Sequence, residues 1–300
     1  MTQNSNSKNP LHGMWALTNR ELKKWYKNPY LFILSIIQPL IWMGLFGRAM
    51  NISAIFTSNP ITLPIINPPL NLQQQIQLGE ALSNATTTIM KDTFGTTDYF
   101  SYMSVGIISF VVLFTTMFSG MSIVWDRRLG FLNKVLSTPV ARGSILMSKV
   151  FNAVIRSIIQ AGIVLSFAFA LGLTVGQDFA PINLLGVFAA VFLISIGLSS
   201  IFILIAIRST KWETQMAVMN LLNLPLLFAS NALFPTKLMP DWLQPFTKIN
   251  PITYVTDATR QLILYTINVQ QLMFDFLFLG MFAVVFSTIG IVLSWRYLSS

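Results

Sequence analysis

Apolar residues gather into six long runs, at 30–47, 99–124, 150–174, 182–207, 214–234 and 272–295. About 20 apolar residues in a helix cross the roughly 30 Å of bilayer hydrocarbon. The pattern therefore predicts an all-α polytopic membrane protein with six transmembrane helices. The first run is barely long enough, and Pro39 inside it predicts a kink, because proline removes one helical hydrogen bond. Ahead of it, residues 1–10 are polar and predicted to be disordered. From 11 to 27 a helical period takes over: Leu11, Trp15, Thr18, Leu22 and Trp25 recur at alternating spacings of four and three, with Arg20, Lys23, Lys24 and Lys27 on other faces. That predicts an amphipathic helix in the membrane interface, with Trp15, Leu22 and Trp25 at headgroup level. It serves either as a plain juxtamembrane anchor or also as a rest for a cytoplasmic partner.

The intervening stretches differ in kind. Residues 48–98 are rich in Asn, Gln, Thr and Pro and predict an extramembrane cap, with a helix from about 70 to 90 and N-x-S/T sequons at Asn51 and Asn84. Residues 125–149 form a basic loop, 176–181 a turn, and 235–271 a second irregular region. Gly186, Gly197, Ser195, Ser199 and Ser200 in the fourth run permit close helix packing. Arg156, near the start of the third, can snorkel toward headgroups. The chain divides into a tail with its interface helix, 1–29, and a permease domain, 30–300.

Composition agrees: of 300 residues, 54% are hydrophobic and only 10% charged, where a soluble domain carries about 25% charged. The net charge of +9 does not mark a nucleic-acid binder, since the basic residues lie in short loops between apolar runs. With six crossings both termini share a side. That side carries 14 of the 19 Lys and Arg, which places the termini and the 125–149 loop in the cytoplasm. No basic start with an apolar run close behind it is present, so no cleaved signal is expected. With no cysteine, disulfides and thiolate metal sites are excluded.

The inventory is poor for catalysis. Ten carboxylates and one histidine, His12, are spread along the chain, with no H-E-x-x-H and no set that could form a Ser/His/Asp triad. Asp275 and Glu213, at the mouths of spans six and five, are the nearest candidates for ion coupling; both read more simply as water-facing helix ends. No G-x-x-x-x-G-K-[ST] is present, so an ATP-driven process would need a second subunit. A stand-alone secondary transporter or channel stays open as the alternative.

Two stretches remain. One is D-R-R-L-G-F-L-N-K-V-L-S-T-P-V-A-R-G-S-I-L-M-S-K, from Asp126 to Lys149. Phe131, Leu132, Val135 and Leu136 make an apolar face at helical spacing after Gly130, Lys134 flanks it, and Thr138 before Pro139 should end the helix. Such a face docks in a partner's groove or lies on lipid. The other is P-D-W-L-Q-P-F-T-K-I-N-P-I-T-Y-V-T-D-A-T-R, from Pro240 to Arg260. Asn250 as N-cap and Pro251 at the first helical position start a helix that carries Asp257 and Arg260 three apart and is too short to span. Backbone at membrane depth must be helical or buried, so re-entrant helices between spans five and six are predicted.

With six spans and an amphipathic N-terminal helix, these motifs resemble the type-2 ABC exporter permeases, the daunorubicin-exporter-like membrane subunits, over essentially the whole chain. The resemblance implies coupling to a separate ATPase through Phe131, Leu132, Lys134, Val135, Leu136 and Pro139. It implies an outer gate at Asn250, Pro251, Tyr254, Asp257 and Arg260. It also implies a homodimer or a paralogous pair in the cell membrane. ATP and Mg would be held by the partner, with no cofactor in this chain, and the cargo would be lipophilic, drug-like or lipid-linked. Members often carry two or three acids after span two. Here Asp126 stands alone, so a salt link from the missing acids is not expected.

Overall fold

A computed structural model of the chain describes residues 10–49, 71–138, 142–209 and 211–299. Those residues are helical with short connections. The elements are α1 (Pro10–Tyr26), α2 (Pro29–Trp42) running into a π-helical turn at Met43–Ala49, α3 (Leu72–Phe94), α4 (Tyr99–Arg128) and α5 (Phe131–Leu136). There follow α6 (Arg142–Ala170), α7 (Asn183–Arg208), α8 (Trp212–Phe228), a 3-10 turn at Thr236–Leu238, α9 (Gln244–Thr247), α10 (Pro251–Ile263) and α11 (Val269–Ser299).

The central element is α4. It is buried nearly all round, as an all-apolar helix must be, and packs on α6, α7 and α8. At the periphery, α2 exposes Leu31, Leu34, Ile37 and Ile41, and α11 exposes Met273, Leu277, Met281 and Val284. Apolar faces of that size belong against lipid or another protein. Glycines bring neighbouring helices close, as the sequence suggested: a Cβ on Gly197 would meet the Phe282 ring at 2.3 Å, and one on Gly186 the Leu262 side chain at 2.9 Å.

Five stretches, not six, are long and apolar enough to cross a membrane among the described residues. The expected fifth run, 214–234, is a helix of 17 residues that stops at Phe228. Pro225 lies inside its last turn and withholds one backbone N–H from the ladder. The Asn231 backbone then serves Arg260 instead of continuing a helix. The third run also differs. It begins at Arg142 rather than near 150, so Lys149 is helical. It ends at Ala170 because Gly172 takes φ 96° and the Leu173 and Gly172 amides bond back to Ala168 and Phe169 at 2.9 and 3.1 Å, a Schellman stop. The predicted 125–149 loop thus shrinks, since Trp125–Arg128 belongs to α4 and residues 142–149 to α6. Pro139 and the Asn51 sequon lie outside the described residues. Asn84 lies exposed within α3, which is longer than the expected 70–90 helix and is started by a capping box between Asn71 and Gln74.

Candidate functional site: two polar locks at opposite ends of one helix

The chemistry of this chain gathers at the two ends of α4. At its last turn, Asp126 is 3% exposed yet charged. Its carboxylate accepts from Lys149 on α6, from Lys24 on α1 at 3.0 Å, and from Arg20 at 3.5 Å. A second acid completes the group: Glu21, 6% exposed, pairs with Arg20 at 2.7 Å, Lys24 at 3.0 Å and Lys149 at 3.1 Å. Lys24 and Lys149 each bridge both carboxylates, so three helices meet in one buried ionic knot. Removing one acid from such a group leaves three cations sharing a single carboxylate, a charge imbalance in a partly desolvated place.

The knot holds α5 from below. The Arg20 guanidinium carbon lies 3.2 Å from the Phe131 ring centroid, a cation–π contact. Leu132 and Val135 are buried against Ile145 of α6 and beside Leu17 of α1. This corrects the expected free ridge: Leu132 and Val135 face the chain's own helices. The open side of this turn carries Asn133, Lys134, Ser137 and Leu129. Next to Asp126, Arg127 donates to Ile207 O at 2.7 Å and to Ser209 O at 3.0 Å, capping the C-terminal end of α7 and favourable to its dipole.

The predicted interface helix divides its residues. Trp15 is 58% exposed and Leu22 half-buried, but Trp25 is 5% exposed. Trp25 donates to Ser35 Oγ at 3.1 Å and packs edge-on to Phe32. Thr18 donates to Ser148 O at 3.3 Å. So α1 is fastened to α6 along its Thr18–Glu21–Trp25 face rather than resting on lipid by it.

At the opposite end of α4, Arg260 of α10 is 1% exposed. Its guanidinium donates to Asn231 O at 2.7 Å, Ala232 O at 2.9 Å and Tyr102 O at 3.3 Å, and stacks on Tyr102 with 3.5 Å to the ring centroid. Asp257 and Arg260, three apart on α10, form no ion pair with each other. Asp257 instead accepts from the Asn231 amide, and burial holds its carboxyl above the usual carboxylate range against the pull of Arg260 and Asn231. Asn250 caps α10 through Ile252 N at 2.9 Å, as predicted. Its amide also donates to Leu226 O at 2.8 Å and Ala229 O at 2.7 Å, which fastens α10 to the frayed end of α8. Pro251 stands at the helix start. Tyr254 donates to Lys248 O at 2.5 Å and stacks on Phe278 of α11. The close approach of residue 232 to α4 is possible only because position 106 is glycine, where a Cβ would lie 2.0 Å from Ala232 O.

Two further acids were singled out. Glu213 is exposed, as read. Asp275 is not water-facing: it is 0% exposed and accepts from Gln261 Nε2 at 3.1 Å and Gln271 Nε2 at 2.9 Å. The reading missed Glu21, Tyr102 and Asn231 as members of the two locks. Glu21 had a signal, since it falls on the apolar arc of Thr18 and Trp25, where an acid needs a cation. Among the described residues no cluster of His, Cys, Asp and Glu could hold a metal ion.

The comparisons agree with this arrangement of a helical membrane bundle. The ABC-2 type transporter family matches residues 12–264, which takes in α1, both locks and α10. A putative transport permease, ycf38, of Cyanophora paradoxa is 29% identical over 297 residues, covering 96% of this chain and 89% of the relative. The probable multidrug ABC transporter permease YbhR of Escherichia coli K12 is 26% identical, covering 65% of this chain and 52% of its own length. The probable doxorubicin resistance ABC transporter permease protein DrrC of Mycobacterium tuberculosis is 23% identical, covering 81% and 74%. The chain belongs to the ABC-2 type transporter family and is a type-2 ABC permease.

Proposed function

We propose that this permease is the membrane subunit of an ATP-driven exporter, acting as a dimer and moving a lipophilic, drug-like or lipid-linked substrate out of the cytoplasm. A separate ATPase, holding ATP and Mg, docks on the turn formed by Leu129, α5 and Ser137. In this reading both termini and α5 are cytoplasmic, α8 with residues 229–233 completes a sixth crossing, and α10 enters from the outer side without spanning. The observation that supports it best is the ionic knot. A push on the open side of α5 passes through Phe131 and Arg20 into Asp126 and Lys149, and so into α4 and α6 together. The apolar residues Leu132 and Val135 then seat the docking helix on its own chain, and Lys134 with Asn133 meets the partner.

A second reading, an ion-coupled carrier, draws on the buried Asp275, since acids inside a membrane often mark ion paths. One experiment separates them. The chain is reconstituted in proteoliposomes with and without a candidate ABC ATPase subunit, and efflux of a lipophilic dye is followed under ATP or under an imposed ion gradient. Efflux that needs both the ATPase and ATP supports the exporter; efflux driven by the gradient alone and lost in Asp275→Asn supports the carrier.

A further inference from the structure

A cavity of about 910 Å³ opens between α1, α2 and α4, beside the ionic knot. Its long wall is apolar: Leu34, Ile37 and Ile41 from α2 and Leu45 from the π-helical turn after it face Phe118 and Met121 from α4. From Leu34 to Leu45 that wall runs roughly 16 Å at helical rise, the reach of a long alkyl chain. One end is charged, where Lys24, Glu21, Asp126 and Arg156 line it. The charges there do not balance. Glu21 and Asp126 are already claimed by Arg20, Lys24 and Lys149, and Arg156 is left over. Its guanidinium makes no ion pair among the described residues, and its buried Nε has no hydrogen-bond partner. Its guanidinium lies over the Trp25 ring, 5.1 Å from centroid to guanidinium carbon, and feels the Glu21 carboxylate without pairing to it. A largely buried cation with no paired counter-ion is costly, and an arginine fork is shaped to take carboxylate or phosphate.

We propose that this cavity binds an anionic amphiphile, its headgroup on Arg156 and its alkyl chain along the α2 wall. The proposal deepens the exporter reading and rests on it only for where the occupant goes next. Arg156 supplies the charge selection, and Trp25 holds the guanidinium in place.

Four of the seven tryptophans, Trp25, Trp42, Trp125 and Trp212, line the cavity, so occupancy can be read by quenching. With Trp15, Trp242 and Trp295 replaced by phenylalanine, the chain is placed in nanodiscs containing brominated phosphatidylglycerol or brominated phosphatidylcholine of the same acyl chains. No ATPase is present, so failure of the exporter reading leaves the result intact. Half-maximal quenching by the glycerol lipid is expected at about tenfold lower mole fraction than by the choline lipid, the worth of one charge-assisted contact. Arg156→Gln should bring the two together while quenching by the choline lipid persists, which reports an intact fold; Arg156→Lys should keep most of the preference. Added hexadecyl phosphate distinguishes the source. Relief of quenching marks an exchangeable cargo-like anion and persistence a resident bilayer lipid, and both agree with a charge-selective site. Equal quenching by the two lipids in the parent chain, or an unchanged preference in Arg156→Gln, overturns the proposal.

Discussion

Lys149, on the second turn of α6, donates to the carboxylate of Asp126, on the last turn of α4, and both side chains are buried. The pair joins the two helices that flank α5, and Glu21 and Lys24 tie α1 into it. Asp126, Lys149 and Glu21 are out of water, while Arg20 and Lys24 keep an exposed side, so the buried three should behave as a unit. Asp126→Asn is expected to cost about 1–3 kcal/mol, less than breaking a lone buried pair, because Lys149 and Lys24 keep Glu21. Adding Lys149→Met should return part of that, since the pair is then removed together. Thermal unfolding in detergent across the double-mutant cycle checks this; simple additivity would show that the two residues do not depend on each other.

At the other end of α4, Gly106 is fixed by a backbone oxygen rather than by a flexible side chain. Gly106→Ala should therefore abolish a monodisperse, folded preparation, because neither α4 nor residue 232 can give way by an ångström. Gly79→Ala, in a part of α3 with nothing within 4 Å, should instead stabilise by up to about 1 kcal/mol. Size-exclusion profiles and melting temperatures of the two variants test the contrast.

Arg260 is used as a planar fork across three carbonyls, from Asn231, Ala232 and Tyr102. Lysine carries the same charge as a single point and cannot span them. Arg260→Lys should thus lose nearly as much stability as Arg260→Gln, about 2–4 kcal/mol for each. A lysine variant with the parent's melting temperature would show that charge alone suffices.

Asn250 works in two directions, accepting from Ile252 N and donating to Leu226 O and Ala229 O. Asn250→Asp keeps the cap but turns a donor into a charge facing two carbonyls. It should be worse than Asn250→Ala, even though Asp is among the best N-caps. Melting temperatures again decide, and an aspartate variant equal to the parent would reduce Asn250 to a cap alone.

What the chain disclosed of itself follows from physics of different range. Hydropathy along the helix axis marked α2, α4, α6, α7 and α11, and the Asn250-Pro251 start of α10 could be read locally because caps are local chemistry. The fifth helix ends earlier than its apolar run because Pro225 sits in that stretch, and the claims of Arg260 and Asn250 on the following carbonyls explain why the helix yields there. The apolar face of α5 was read correctly as a face and wrongly as free, since amphipathicity says that a side is covered and not by what. The positive-inside pattern accounts for the side on which the charges after α4 lie but not for their partners. Lys149 and Arg127 in fact have fixed partners on α1, α4 and α7, more than twenty residues away in most cases, beyond any periodicity. Asp126, the one acid between Asp98 and Asp178, was the available sign that those cations had work inside the fold.

The central claim is that the open side of α5 meets a separate ATPase. The absence of cysteine in the chain makes the direct test clean. Single cysteines at Lys134, at buried Leu132 and at Lys237 on the far end are each labelled with a short maleimide photo-crosslinker. The labelled chains are then illuminated in membranes that also hold the ATPase subunit. The account predicts a crosslinked permease–ATPase band from Lys134→Cys, and none from Leu132→Cys or Lys237→Cys. A band from Lys237→Cys, or none from Lys134→Cys while the complex co-purifies, would contradict it.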